Sequence, residues 1–402
     1  MTNLPSSILE VIFLRLSPKT IFICQSVCKS WLNLISHPEF IKLHLSKSHT
    51  NLIIYNINHS RSSLFNFVNL ENKPNYHRLT FEPNFHLDIK TNFPNINFNP
   101  VGSIHGLVCL YYKPLDNNVL DIVYIFNPTT RQYIELPEPK GLRNCPNLVT
   151  YGFGFDPMRM EYKVIRIYQV ETHNINKEKY YTSEVQVYTL GTRFWRSVGY
   201  IKLRFERRYS GVYFSGKLHW LVKDVEENES ICFIDMHDEL DEWTLDTDEE
   251  LNREKDMTFS TAPGFNKRKR QNLPTPRDRN YPDYRSLGVL GNYLCLCDNN
   301  TKSYLDIWVM KEYGVKSSWT KEIVIDITPE CNWFCHTMVH VLKVFRDGEI
   351  LFQLGEDVLF TYNPEKKTLT KNEYFSDRFW ASTHVSSLLS VKNFGTGVAN
   401  NF

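Results

Sequence analysis

Apolar positions along this chain follow two different periods, and the change falls near residue 50. In the first 45 residues the spacing is helical. Pro5 suits a first helical turn, where its missing N–H is not needed. Ile8, Leu9, Ile12, Phe13 and Leu16 then recur at i, i+1, i+4, i+5 and i+8, which predicts one amphipathic helix. Ser17-Pro18 stops that helix and starts a second, with Ser as N-cap and Pro at the first helical position. Ile21 and Cys24 belong to the second helix. Val27, Cys28, Trp31 and Ile35 form the stripe of a third, which His37-Pro38 ends. Three short helices within residues 1–48 bury little surface, so part of their apolar face needs a partner.

Beyond residue 50 the period falls to two. Gly106–Tyr112, Asp121–Phe126, Glu184–Leu190, Gly211–Val222 and Leu305–Met310 are short runs rich in β-branched and aromatic residues, bounded by turn residues. No long amphipathic helix interrupts them, so residues 49–395 are expected to be all-β. The runs also repeat loosely. Phe126-Asn127-Pro128 recurs as Tyr362-Asn363-Pro364, and units begin near 52, 102, 148, 211, 287 and 340, the spacing of four-stranded propeller blades. The stretch Trp380–Val391 could close the ring against the first unit, removing exposed edge strands. The expected fold is a β-propeller of about six blades; a β-sandwich is the alternative. Residues 245–285 read as a long charged loop, acidic from Asp238 to Asp256 and basic from Lys267 to Arg285, punctuated by proline.

Composition narrows the function classes. With 46 Lys+Arg against 45 Asp+Glu the net charge is +1, so no global field draws the chain to nucleic acid or an anionic membrane. Aromatics reach 14%, in keeping with β-rich structure. The opening residues lack the apolar run of a secretory signal, no stretch of 18 apolar residues occurs, and nine scattered cysteines do not read as a disulfide framework. The expected compartment is therefore the cytosol or nucleus.

Catalytic motifs are scarce. Cys331, Cys335, His336 and His340 gather four possible zinc ligands, but they lack the two separated ligand pairs of a typical site, so no metal or cofactor is expected. His336-Thr337-Met338-Val339-His340 has the spacing of a metalloprotease helix with Thr337 where the glutamate must stand. Cys295-Leu296-Cys297 alternates with apolar residues and reads as core. Neither a P-loop nor a nucleophile elbow occurs. The basic run Lys267, Arg268, Lys269 and Arg270 is a candidate contact for a target protein, against the plainer reading of a solvated loop.

The head has a more specific pattern. Leu4-Pro5, Ile8-Leu9, Ile12-Phe13, Arg15-Leu16, Lys19-Thr20-Ile21, Val27-Cys28-Lys29-Ser30-Trp31 and Leu34-Ile35 with Phe40 resemble the F-box. The body resembles the plant-type F-box-associated, kelch-like domain in Gly106–Leu110, Phe126–Arg131, Tyr151–Asp156, Tyr162–Val164 and Ile307–Val315 with Ser318-Trp319. S-locus F-box-like receptors share this architecture. The resemblance implies a non-catalytic substrate-recognition subunit of a Skp–cullin–F-box ubiquitin ligase, whose head docks on a Skp-type adaptor and through it on a cullin scaffold. Its β domain would recruit an unknown protein target, with no nucleic acid or membrane partner. The adaptor-binding residues it implies are Leu4, Pro5, Ile8, Leu9, Ile12, Leu16, Val27, Cys28 and Trp31. For Trp31 internal packing is an equal alternative. Two other functions remain open: a scaffold acting outside degradation, and a propeller hydrolase, which would need convergent carboxylates or a metal cluster.

Overall fold

The computed structural model describes residues 4–56, 64–70, 79–88, 98–112, 121–139, 148–173, 179–206, 210–224, 229–237, 270–272, 284–300, 303–328, 337–356, 358–372, 378–394 and 400–401. The head forms four helices rather than three: α1 (Ser6–Phe13), α2 (Pro18–Cys24), α3 (Lys29–Ile35) and α4 (Pro38–Lys47). Pro38 ends α3 as expected, but it also stands at the first position of α4, where a residue without an N–H is tolerated. Ser17 caps α2 by accepting the Thr20 N–H at 3.2 Å. Phe13, Ile21, Ile35 and Phe40 meet at the centre, and Trp31 packs edge-on against Phe13 at 5.0 Å between ring centroids.

The body is a ring of six sheets. The first holds β1 (Thr50–Asn56), β2 (Leu64–Leu70) and β3 (Leu79–Asp88). The second runs from β4 (Phe98–Ile104) through β5 (Leu107–Tyr112) and β6 (Ile122–Asn127) to β7 (Gln132–Glu135). The third runs from β8 (Leu148–Asp156) through β9 (Glu161–His173) and β10 (Lys179–Thr189) to β11 (Arg196–Ile201). The fourth contains β12 (Arg204–Phe205), β13 (Val212–Phe214), β14 (Lys217–Lys223), β15 (Glu229–Asp235) and β16 (Arg270–Asn272). The fifth comprises β17 (Arg285–Leu290), β18 (Tyr293–Asp298), β19 (Tyr304–Met310) and β20 (Trp319–Asp326). The sixth comprises β21 (Val339–Val344), β22 (Ile350–Leu354), β23 (Val358–Asn363) and β24 (Thr368–Asn372).

These are the blades of a six-bladed β-propeller, and the sandwich alternative falls away because six separate antiparallel sheets replace two stacked ones. The innermost strands β4, β8, β13, β17 and β21 neighbour one another in turn. A late strand, β25 (Phe379–Val385), completes the circle by pairing with β1 along its whole length, from Thr50↔Val385 to Asn56↔Phe379. The N-terminal blade thus takes its inner strand from the other end of the body, and the first blade gains no free inner edge. A two-residue strand, β26 (Asn400–Asn401), lies outside β7.

Packing between blades explains several sequence choices. Alternate side chains of each inner strand meet those of the next blade, so apolar clusters sit between blades rather than at one centre. Blades three and four approach so closely that Gly152 and Gly211 form a parallel bridge. A Cβ on Gly211 would lie 2.5 Å from the Trp220 indole, and one on Gly152 would lie 2.6 Å from it. Only glycine leaves room for that ring. Charged groups also tie blades together: the buried Arg285 of blade five pairs with Glu229 of blade four, which also accepts Lys223 at 3.3 Å. Pairing keeps these buried charges from being left uncompensated.

The recurring aromatic–Asx–Pro phrase proves to be a single turn design. Asn127 Oδ1 accepts the Thr129 N–H at 2.9 Å, and Asn363 Oδ1 accepts the Lys366 N–H at 2.9 Å. A third copy, Phe155-Asp156-Pro157, uses Asp156 Oδ1 to accept the Met158 and Arg159 N–H groups. Each turn ends in a left-handed residue: Arg131, Met160 or Lys367.

Candidate functional site

An apolar edge on the head and a channel through the ring

Helix α1 is apolar on two sides. Leu9 and Phe13, four residues apart, face inward, while Ile8, Val11 and Ile12 point away from the core. A helix that is apolar nearly all round belongs in an interior, so an exposed side of this kind calls for a second body. Leu4 (53% exposed), Ile8 (47%) and Ile12 (42%), on or beside α1, are exposed, as is Val27 (61%) just before α3. Pro5 and Cys28 are exposed beside them. Leu9, Leu16 and Trp31, selected from the sequence with this group, are instead half-buried and pack against the head's core. Sequence reasoning omitted Val11, Ile23 and Leu32, which are also exposed and apolar. For Val11 spacing carried the signal, since it follows Ile8 by three within α1.

The second feature is the ring's central channel, about 910 Å³ in volume. Its lining includes Tyr111, His219, Trp220, His340, Trp380 and Ser382. Its rim carries Glu356 and Arg378, which pair with each other. The rim lies on the face turned away from the head. Thr50 and Val385 mark the end of their strands nearest α4, whereas Phe379, whose N–H donates to the Glu356 carbonyl, marks the far end. The sequence pattern does not group these residues as a channel, because their convergence depends on the closure of the ring.

Histidine chemistry here is that of neutral, packed rings. Burial pushes His219 down to about 4. Its Nδ1 lies 3.2 Å from the Val212 carbonyl, so that nitrogen carries the proton, and Nε2 accepts the Tyr313 hydroxyl at 2.7 Å. Burial likewise brings His340 and His384 to about 4. His340 stacks obliquely on Trp380 at 5.2 Å, inside β21. Cys331, Cys335 and His336, weighed with it as possible zinc ligands and set aside, lie outside the described residues, as do Lys267, Arg268 and Lys269 of the basic run. Arg270 opens β16, where its backbone faces Cys232. Among the described residues no group of three or more His, Cys, Asp or Glu could hold a metal ion, and no helix is long and apolar enough to cross a membrane.

A helical head with exposed apolar residues, joined to a six-bladed ring, is the two-part architecture that the F-box resemblance implies. Residues 1–43 match the F-box domain and residues 51–255 match the F-box associated beta propeller domain. The chain belongs to the F-box proteins that carry an associated β-propeller. It is similar to the Arabidopsis thaliana F-box protein At3g07870, 28% identical over 400 residues that cover 91% of this chain and 86% of that one. It is also similar to F-box protein CPR1 from the same plant, 26% identical over 92% of this chain and 84% of that one. F-box/kelch-repeat protein At3g23880 is 26% identical, covering 87% of each.

Proposed function

We propose that this chain is the substrate-recognition subunit of a Skp–cullin–F-box ubiquitin ligase. The head binds a Skp-type adaptor through Leu4, Pro5, Ile8, Ile12, Val27 and Cys28, and the propeller holds the target on the face where the channel opens. The observation that carries the reading is the uncovered apolar edge on a domain that matches the F-box. Catalysis in such an assembly is entropic. The receptor keeps a target lysine at high effective concentration near a charged thioester held by another subunit, so the chain needs no nucleophile or base of its own.

Leu9, Leu16 and Trp31 support the edge from beneath. The basic run Lys267–Arg270 is the second candidate contact for a target, and the cytosol or nucleus is where the assembly would work. The test is reconstitution: the purified chain is mixed with a plant Skp-type adaptor, cullin and ring-finger subunit and passed over a sizing column. Co-elution in one complex is expected, and depletion of the chain in cells lengthens the half-life of proteins it captures under proteasome inhibition. Separate elution of chain and adaptor overturns the reading. Stable assembly without any change in half-life would favour a scaffold acting outside degradation.

A further inference from the structure

The chain continues past the closing strand as a strap, from Ser386 to Phe394, that touches head and ring in alternation. Leu388, 3% exposed, enters the head's core and meets Phe13, Ile21, Ile35 and Phe40. The head therefore has four fully buried apolar residues of its own and a fifth supplied from the opposite end of the chain.

On either side of Leu388 the backbone is held by the ring. The Asn127 amide donates to the Ser387 carbonyl at 3.0 Å and to the Leu389 carbonyl at 2.7 Å. Its oxygen is already engaged by the Thr129 N–H, so every polar group of this fully buried side chain has a partner. Gly106, at φ +84°, lets Ser387 come close: a Cβ there would lie 2.5 Å from Ser387 Cβ. Ser390 Oγ pairs with Gln132 Oε1 at 2.8 Å, Val391 is fully buried between blades two and three, and Phe394 packs on Tyr162 at 5.4 Å.

Besides the strap, the chain joins head to ring through Ser48 and His49, between the end of α4 and the start of β1. A single short tether leaves rotation about several backbone bonds. A second attachment that is buried at both ends removes it. The strap covers the inner side of the head and leaves Leu4, Ile8, Ile12 and Val27 uncovered, so the two sides of this small domain serve different bodies.

We infer that the strap is a positioning device, with Leu388 and Asn127 as positioning residues that fix the direction of the head's exposed edge relative to the far face of the ring. Its consequence for ubiquitin transfer rests on the proposed function, because only in a ligase would this angle set the distance from target to thioester. The geometric claim stands without it.

The experiment uses the full chain with two spectroscopic labels introduced as non-natural residues, one at exposed Asn33 in the head and one at exposed Thr368 on the outer strand of blade six. Pulsed dipolar spectroscopy reads the distance distribution between them. The intact chain is expected to give one narrow distribution. Leu388→Ser should widen it at least twofold, and Leu388→Met should restore the narrow width. Because Leu388→Ser could simply loosen the head's core, Asn127→Ala provides the second arm: it removes the strap's anchor, touches no head residue, and should also widen the distribution at least twofold with helical circular dichroism retained. An unchanged width in both variants overturns the inference, as does a change confined to Leu388→Ser with helical signal lost. Failure of the intact chain to bind adaptor would sink the proposed function while leaving this distance result to decide the strap.

Discussion

Lowering the pH should destabilise the propeller through its buried histidines. His219 and His384 are 0% and 1% exposed, and burial holds both near a pKa of about 4. An unfolded histidine titrates near 6.5. For a base whose folded pKa is depressed, the two states differ in protonation only between the two values. Above about 6.5 both are neutral and stability is unaffected. As pH falls from there toward 4, the unfolded chain takes up protons that the folded chain refuses, and stability is lost.

At pH 5 an unfolded histidine is almost wholly protonated and a folded one with pKa about 4 is largely neutral, which costs about 2 kcal/mol per residue. The two together remove about 4 kcal/mol, a large part of the ordinary stability of a domain. His340, which lines the channel and is only half-buried, adds a smaller loss in the same sense, as do His44 and His105, whose pKa values burial also lowers. The assay is urea unfolding followed by tryptophan fluorescence at pH 7.5 and pH 5, with proton uptake measured on unfolding at pH 5. A drop of more than about 4 kcal/mol and an uptake of more than about two protons are expected, and His384→Leu should reduce the drop by about 2 kcal/mol. Equal unfolding free energies at the two pH values, or an unaltered slope in His384→Leu, would refute the claim that these rings are packed neutral.

Two further outcomes follow from packing. Gly211→Ala places a methyl group 2.5 Å from the Trp220 indole and should cost about 1–3 kcal/mol of propeller stability, read as a shift in urea midpoint; an unchanged midpoint would show that the blades separate freely there. Trp31→Ala removes the ring that rests edge-on against Phe13. It should lower head stability by about 2 kcal/mol, less than the loss for a fully buried tryptophan, and weaken adaptor binding through the helices rather than by direct contact. The ring's unfolding transition should not move; if it does, head and ring unfold as one unit.

The period change at residue 50 and the six repeating starts were legible because each depends on local alternation and turn chemistry. Units read as starting near 52, 148, 211 and 287 coincide with β1, β8, β13 and β17. Closure was legible too, since Trp380–Val391 was a strand-like run left over after six units, and β25 occupies its first part. Other features were hidden for physical reasons. Pro38 reads equally as the end of one helix and the start of another, and only the burial of Phe40 and His44 decides for α4. The repeat at Phe155-Asp156-Pro157 escaped notice because Asp replaces Asn, although either side chain can accept the turn's N–H groups.

Which apolar residues of the head are exposed was legible only in part. A helical stripe tells which residues are apolar, not which of its sides the rest of the chain covers. That is why Leu9 and Trp31 were grouped with Ile8 and Val27, and why Val11 and Ile23 were left out. Leu388 sits in Ser386-Ser387-Leu388-Leu389-Ser390, a run with no periodicity, and its partner Phe13 is at the other end of the chain. The channel rests on the same kind of distant contact: His340 and Trp380 meet only because β25 closes the ring.

The central claim is that the head's uncovered apolar edge is a docking surface for the ligase adaptor. Isothermal titration of a purified Skp-type adaptor into the full chain, and into a variant carrying Ile8→Asp and Val27→Asp, tests it most directly. Both residues are exposed, so the variant should fold with an unaltered propeller transition. Burying two carboxylates in place of two aliphatic side chains should cost several kcal/mol of binding, a loss of more than about 100-fold. Affinity within a few-fold of the unaltered chain would contradict the account.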